Sequence, residues 1–208
     1  MLFHPAFPLL VVAFIALAVP ATCRKVISLL APIISAIFLF LLDPETVYHM
    51  SFLKDYHLLL IRLDDISFLM TLVICLITFL FFLYTWHQTY NMQGVAALVY
   101  AASAIGSLLS GDWITLIFCW ELMAVAAVAL IWLSNRYAFK AGFRYLLIHF
   151  FGGNLLLGGI VLLIGQNQYV IGQLLPSQGA AYWLVLAGLG LSAGFLPFHS
   201  WIPDAYSR

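Results

Sequence analysis

The class of this protein follows from one stretch, ITLIFCWELMAVAAVALIWLS, which runs from Ile114 to Ser134. Glu121 is its only charged residue. A helix needs about 20 predominantly apolar residues to cross a hydrocarbon core about 30 Å thick. The stretch therefore predicts a transmembrane helix with one carboxyl group inside it.

The rest of the chain has the composition of a protein embedded in lipid. Of its 208 residues, 65% are hydrophobic and 8% are charged, whereas soluble domains average about 45–50% apolar and about 25% charged residues. Six further apolar runs predict spans near Phe7–Cys23, Val26–Leu42, Ile66–Trp86, Gly94–Leu109, Tyr145–Gly165 and Tyr182–Phe195. We therefore expect an all-α polytopic membrane protein with about seven transmembrane helices.

Charge and cysteine content argue against several other classes of protein. The net charge is zero and the longest basic run is Arg24-Lys25, so the chain lacks the basic patch of a nucleic-acid-binding protein. Cys23, Cys75 and Cys119 lie far apart, and two of them fall inside apolar runs, which suggests neither a disulfide nor a metal site. The sequence contains no flavin, iron–sulfur or nicotinamide motif, so we expect no cofactor.

The distribution of charges predicts the orientation in the membrane. The first and fifth predicted loops carry the cationic residues Arg24, Lys25, Arg136, Lys140 and Arg144, whereas most acidic residues lie in the second and fourth loops. The positive-inside rule then places the odd-numbered loops in the cytoplasm and the N-terminus outside. We expect a multi-pass protein of a bacterial cytoplasmic (inner) membrane.

The second predicted loop, residues 43–65, is the longest. Its segment from Tyr48 to Asp65 is amphipathic, and Lys54-Asp55 fits a turn between two short strands. An external β-hairpin, a surface helix and a structureless loop all remain compatible with this segment.

Four polar residues stand out in or near the predicted spans. Glu121 lies ~10 Å below the outer surface of the hydrocarbon by helix rise, and Ser192 ~15 Å below it, so a water or hydroxyl bridge between them is plausible. His149 enters from the opposite side and is expected ~13 Å from Glu121 in depth. His199 follows Pro197 beyond the last predicted span.

These residues allow several interpretations. A carboxyl group within a span costs about 2.5–3.5 kcal/mol, and it serves as a proton or ion relay or, when neutral, as a hydrogen-bonding link between helices. His149 and His199 could alternatively bind a haem. An intramembrane enzyme would need a nucleophile or metal motif, and the sequence shows no suitable one. Small residues in the fourth to seventh spans favour close helix packing.

Three stretches carry a resemblance to a known family: Trp120–Met123, Arg144–His149 and Pro197–Ala205. Here the chain resembles the large antiporter-type subunits of respiratory complex I, membrane-bound hydrogenases and Mrp-type cation/proton antiporters, among them the D-type Mrp subunit. The resemblance implies the front part of a fold of about fourteen helices with two inverted five-helix repeats. Residues 1–93 would form the three flanking helices with the external loop 43–65, and residues 94–208 most of the first repeat.

The resemblance also assigns functional residues. It makes Glu121 the central proton relay. The polarity and position of Ser192, His149 and His199, which do not come from the resemblance, suggest them as weaker partners. The resemblance further implies a broken seventh helix, whose motif includes Pro197, Trp201, Pro203 and Asp204. The expected function is that of a membrane subunit of a multisubunit cation/proton antiporter or redox-driven proton pump. A structural subunit or truncated remnant that conducts nothing is the alternative.

Two departures from the family pattern bear on this function. Ser192 occupies a position where well-known members have a lysine, and without that cation we expect Glu121 to be neutral much of the time. The chain also ends at Arg208, before a second repeat, which suggests a truncated product, a fragment or a split subunit. Expected partners are other membrane subunits, including the missing C-terminal half, together with H⁺, Na⁺ or K⁺ and the lipid bilayer, but no nucleic acid.

Overall fold

The structure is a computed structural model that describes residues 4–43, 47–53, 56–87, 92–134, 138–172 and 174–195. These ranges contain seven α-helices and one β-hairpin. In chain order the elements are α1 (Ala6–Ala18), α2 (Ala21–Phe40), β1 (Val47–Leu53), β2 (Tyr56–Arg62), α3 (Asp65–Tyr84), α4 (Met92–Leu109), α5 (Trp113–Ser134), α6 (Phe139–Gly165) and α7 (Ala180–Ala193). The predicted all-α polytopic fold with about seven helices is confirmed.

Five of the described helices, α2 to α6, are long and apolar enough to cross a membrane. Helix α1 has 13 residues and α7 has 14, which is about 20 Å of helix against a hydrocarbon core about 30 Å thick. Helix α1 ends earlier than predicted because Pro20 follows it. Val19 is extended, as expected before a proline, and α2 begins directly after Pro20.

Two groups of helices enclose the main apolar clusters. The first cluster lies among the four helices α1, α2, α3 and α4 and includes Leu9, Ala31, Phe82 and Ile105. The second joins α5, α6 and α7 and is built on residues such as Leu156. Helix α4 packs against both α1 and α5, and so connects the two groups.

Glycines allow α6 and α7 to pack with their backbones in close contact. A Cβ atom on Gly188 would lie 2.6 Å from the carbonyl oxygen of Gly152 and 2.6 Å from the amide nitrogen of Leu156. A Cβ atom on Gly159 would lie 2.8 Å from the amide nitrogen of Val185. Close contact through small residues is a common mode of helix packing in lipid, where no hydrophobic driving force pushes helices together.

The segment between α2 and α3 is a β-hairpin, which decides among the three alternatives for the long loop. β1 and β2 are antiparallel, with Val47 opposite Arg62 and Met50 opposite Leu58. The hairpin lies on one side of the bundle, which we call the hairpin side. The starts of α1 and α5 and the connection from α6 to α7 are on the same side, since His4, Gly111 and Ile171 all contact β2 or its neighbouring segment.

The cationic residues near the helix ends lie on the opposite side of the bundle. Lys25, near the start of α2, donates from Nζ to the carbonyl oxygen of Trp86 after α3 at 2.8 Å. Arg24 donates to the carbonyl oxygen of Val19 at 3.0 Å. Lys140 lies in the first turn of α6 rather than in a loop, because α6 begins at Phe139, six residues before the predicted Tyr145.

Helix α7 ends in a Schellman motif. Gly194 has a φ of 73°. Its amide donates to the carbonyl oxygen of Leu191 at 3.2 Å, and the amide of Phe195 donates to the carbonyl oxygen of Gly190 at 2.8 Å. The Phe195 ring closes over Gly190, where an added Cβ atom would lie 2.9 Å from Cδ2. The broken-helix prediction for Leu196–Pro203 concerns residues outside the described ranges.

Candidate functional site: a carboxylate beside a glycine pair

Glu121 lies on α5 with its carboxylate against the backbone of α6. A Cβ atom on Gly153 would overlap with Oε1 of Glu121, so the absence of a side chain at residue 153 creates the space for the carboxylate. Among the described residues, no hydrogen bond or ion pair to this carboxylate is formed. The site is therefore a carboxyl group held by packing alone within the described part of the chain.

One face of α5 around Glu121 is exposed in this chain. Phe118 is 66% exposed, Leu122 is 43% exposed and Val125 is 60% exposed, and Glu121 itself is exposed. By contrast, Ile117 and Ala124 are buried against neighbouring helices. Glu121 thus stands at the border between the packed face of α5 and a face that is open to other components of the membrane.

Ser192 on α7 contacts Gly152, which precedes Gly153 on α6 and forms a glycine pair with it. A Cβ atom on Gly152 would lie 2.7 Å from Oγ of Ser192. Ser192 is 8% exposed, and its oxygen has no hydrogen-bond partner among the described residues. Gly152 and Gly153 thus place Ser192 and Glu121 at the same level of the bundle, although no hydrogen bond joins the two side chains.

His149 is buried on α6, one helical turn from Gly153. Its ring stacks on that of Tyr145, with centroids 3.8 Å apart, and Nδ1 donates to the carbonyl oxygen of Tyr145 at 3.2 Å. Four residues of helix rise by ~6 Å, so His149 lies much closer in depth to the level of Glu121 than the expected ~13 Å. The difference arises because α6 begins at Phe139, which places His149 deeper within the helix.

The remaining predicted site residues lie outside the described ranges. These are His199 of the proposed relay and four residues of the broken-helix motif, Pro197, Trp201, Pro203 and Asp204. Within the described ranges, no group of three or more His, Cys, Asp or Glu side chains could hold a metal ion.

Asp112, an acidic residue of the fourth predicted loop, has a structural role that the sequence analysis did not predict. It is 3% exposed. Oδ1 accepts from the amides of Ile114 and Thr115 at 2.9 and 2.8 Å, and Oδ2 accepts from the Thr115 hydroxyl and the Leu59 amide at 2.6 and 2.8 Å. The sequence signal was an aspartate directly before a long apolar run, since aspartate is a preferred residue before the first turn of a helix.

The part of the chain that holds this site is similar to known proteins. Residues 110–208, which include Asp112, Glu121, His149 and Ser192, match the family described as NADH:quinone oxidoreductase/Mrp antiporter, transmembrane. An NADH-quinone oxidoreductase subunit N of Nitrosospira multiformis is 34% identical over 100 residues, which cover 41% of this chain and 20% of that protein.

Two further proteins match almost the whole chain. A Staphylococcus aureus protein named as antiporter subunit mnhA2 is 29% identical over 206 residues, which cover 86% of this chain and 26% of that protein. A chain of the Mrp complex from Dietzia sp. DQ12-45-1b shares the fold, with a TM-score of 0.81 at 20% identity over 97% of this chain and 24% of that one.

The chain thus spans about a quarter of the length of these relatives, between 20% and 26%. The helices, the family match and the shared fold agree with one another. Residues 110–208 therefore match the transmembrane domain of the NADH:quinone oxidoreductase/Mrp antiporter family, and the chain resembles the antiporter-like membrane subunits of complex I and Mrp complexes in fold.

Proposed function

We propose that this chain conducts protons as a membrane subunit of a multisubunit cation/proton antiporter or a redox-driven proton pump. Glu121 is the central relay in this proposal, and Ser192, His149 and His199 are its partners. The observation that carries the proposal is the position of Glu121. In the described helices it is the only acidic residue beyond the first turn, and intramembrane carboxyl groups commonly mark ion pathways.

The contacts of Glu121 favour a relay over a structural link between helices. A neutral carboxyl group that links two helices needs a hydrogen-bond partner on the neighbouring helix. Glu121 instead meets the bare backbone of Gly153, and no described residue donates to it or accepts from it. Among the described residues, neither Glu121 nor the oxygen of Ser192 has a hydrogen-bond partner. Both groups therefore leave hydrogen-bonding capacity for water, which is the usual carrier of protons between side chains.

The exposed face around Glu121 supports an assembly with further protein. Leaving a carboxyl group against lipid costs about 2.5–3.5 kcal/mol, and such groups almost always face a bundle interior or a water-filled cavity. We propose that helices from other membrane subunits of the complex cover Phe118, Glu121, Leu122 and Val125. Residues 1–93 would then be the flanking helices and residues 94–208 most of one repeat, in a bacterial inner membrane with the hairpin side outward.

Replacing Glu121 tests the relay directly. In the full complex, reconstituted in vesicles with a pH-sensitive dye inside, Glu121→Gln should abolish proton flux while the complex still assembles. Asp65→Asn is the matched control, because it makes the same carboxylate-to-amide change at the exposed start of α3. Flux should survive in that variant.

The opposite result would favour the non-conducting alternative. If Glu121→Gln leaves flux unchanged in a correctly assembled complex, the chain acts as a structural subunit. This second function is favoured by Ser192, which stands where well-known members of the resembled family have a lysine. A cation at that position would help hold and release the charge on Glu121, and serine supplies none.

A further inference from the structure

The start of α5 is held from two directions by backbone hydrogen bonds on the hairpin side. The Gly111 amide donates to the Leu59 carbonyl oxygen of β2 at 2.8 Å. On the other flank, the Ile171 amide donates to the Gly111 carbonyl oxygen at 2.9 Å, and the Trp113 amide donates to the Tyr169 carbonyl oxygen at 3.2 Å. We call this arrangement of β2, residues 111–113 and residues 169–171 the surface sheet.

The segments of the surface sheet are tightly packed. A Cβ atom on Gly111 would lie 2.8 Å from Cβ of Leu59 and 3.1 Å from Cβ of Arg62. Arg62 also spans the sheet, because its guanidinium donates to the carbonyl oxygen of Ile171 at 2.5 Å. The hairpin therefore cannot move towards or away from residue 111 without disturbing the entry to α5.

Asp112 is the side chain that ties this sheet to the helix. One carboxylate oxygen, Oδ1, accepts from the amides of Ile114 and Thr115 in the first turn of α5. The other oxygen, Oδ2, accepts from the Leu59 amide of β2. A single buried carboxylate thus fixes the helix start to the hairpin.

A displacement at the start of α5 would reach Glu121. Asp112 and Glu121 are nine positions apart, or ~13 Å along the helix. Between them, Trp113 and Ile117 are buried against α6 and α7. At Glu121 the carboxylate meets the backbone of Gly153 without a flexible side chain between them. A shift of α5 along its axis therefore changes the position of the carboxylate relative to the glycine pair.

We infer that Asp112 is a positioning residue for Glu121, which sets the depth of that carboxylate by fixing the start of α5 to strand β2. The inference rests on the proposed relay function of Glu121, and it adds a structural connection between the hairpin and the relay. Asp112 does not itself touch the carboxylate, since it is more than two helical turns away.

Asp112→Asn is the discriminating variant. Asparagine is as good as aspartate at the start of a helix, so the amide oxygen can still accept from Ile114 and Thr115. Its NH₂ group then replaces Oδ2 and faces the Leu59 amide, which is also a donor, so the connection to the hairpin is lost. Thr115→Val is the matched control, because it removes only the hydroxyl bond to Oδ2 and keeps the Leu59 bond.

Two readouts are made on the full complex in vesicles. The first is proton flux, and the second is the infrared difference bands of the Glu121 carboxyl group, assigned by their loss in Glu121→Gln. We expect Asp112→Asn to lower flux by roughly tenfold, because small misplacements of a reacting group have large effects on rate, and to shift the Glu121 bands. Thr115→Val should change neither.

Unchanged Glu121 bands in Asp112→Asn would overturn the inference, whether or not the amount of assembled protein falls, since Asp112 would then be a local helix cap. A failure of the proposed function has a different signature. In that case Glu121→Gln would leave flux intact, while the Glu121 bands would still report whether Asp112 positions the carboxylate.

Discussion

The carboxylate of Glu121 on α5 lies so close to the backbone of Gly153 on α6 that any side chain at residue 153 would overlap with Oε1. The relay candidate and the helix opposite it are therefore matched in shape. The glycine at residue 153 is required by the side chain it faces, in addition to any role in helix packing.

Gly153→Ala should displace the Glu121 carboxylate and lower proton flux by roughly tenfold, because displacing a reacting group by ~1 Å can change rates by on the order of 100-fold. Gly158→Ala on the same helix is the control, since the nearest atom to its added Cβ, Cδ1 of Leu184, would be 3.9 Å away. Flux in vesicles, normalised to the amount of complex, is the measurement. Equal flux in the two variants would contradict the prediction.

Gly188→Ala should destabilise the packing of α7 on α6. Its Cβ atom would lie 2.6 Å from two backbone atoms, which cannot rotate away as a side chain could. Overpacking of this kind costs about 1–3 kcal/mol. The free energy of unfolding, measured in a detergent–denaturant titration, should fall by that amount relative to Gly158→Ala. Equal free energies of unfolding in the two variants would contradict the prediction, since α6 and α7 would then accommodate the added methyl group without loss of stability.

The contact between His4 and the hairpin should weaken in acid. Nδ1 accepts from the Ala6 amide and Nε2 donates to the Leu60 carbonyl oxygen at 3.3 Å, so the neutral ring is the form that fits. Burial holds the pKa of His4 below its ordinary value of 6.5. The contact is therefore fully present above pH 6.5, and it is lost as the pH falls from there through the lower pKa of the folded state.

Hydrogen–deuterium exchange at residues 56–62, corrected for intrinsic pH effects, measures this loss. Exchange should become faster as the pH drops below 6.5 in the unmodified protein. His4→Gln should give a flat profile, because glutamine does not titrate, whereas His87→Gln should keep the pH dependence. A pH response that survives His4→Gln would assign it to another group.

Gly194→Ala should loosen the end of α7. The φ of 73° at this position costs a residue with a side chain about 1–2 kcal/mol. Gly165→Ala is the control, since its added Cβ would meet nothing within 4 Å and its φ is ordinary. Hydrogen exchange at Gly190 to Phe195 should become faster in Gly194→Ala only. Equal exchange rates in the two variants would show that the Schellman motif at the end of α7 accepts a side chain at residue 194 without strain.

The sequence was most informative where apolar runs end abruptly. Helices α4 and α5 begin and end within two residues of their predicted bounds, because turn-forming or polar residues interrupt the hydrophobic pattern there. Helix α6 begins six residues early because Lys140 and Arg144 were read as loop residues. Long cationic side chains at a helix end can instead place their charges in water while their stems cover apolar surface.

The parts of the site that were not predictable depend on contacts between distant segments. Composition drew attention to Glu121, but it could not reveal that Gly153 receives its carboxylate or that Gly152 receives Ser192. In the same way, the sequence placed Asp112 in a loop but could not show that it is buried, since one of its hydrogen bonds comes from Leu59, 53 residues earlier.

The surface sheet also has a consequence for how this protein is made. Arg62 is synthesised 109 residues before Ile171, whose carbonyl oxygen it binds. At ~5–20 residues per second, roughly 5–20 s of translation separate the two. The hairpin therefore leaves the ribosome well before its final partner, and four more helices, α3 to α6, must be synthesised before the sheet can close. The hydrogen bond between Arg62 and Ile171 can thus form only late in synthesis, after α5 and α6 have been made and inserted.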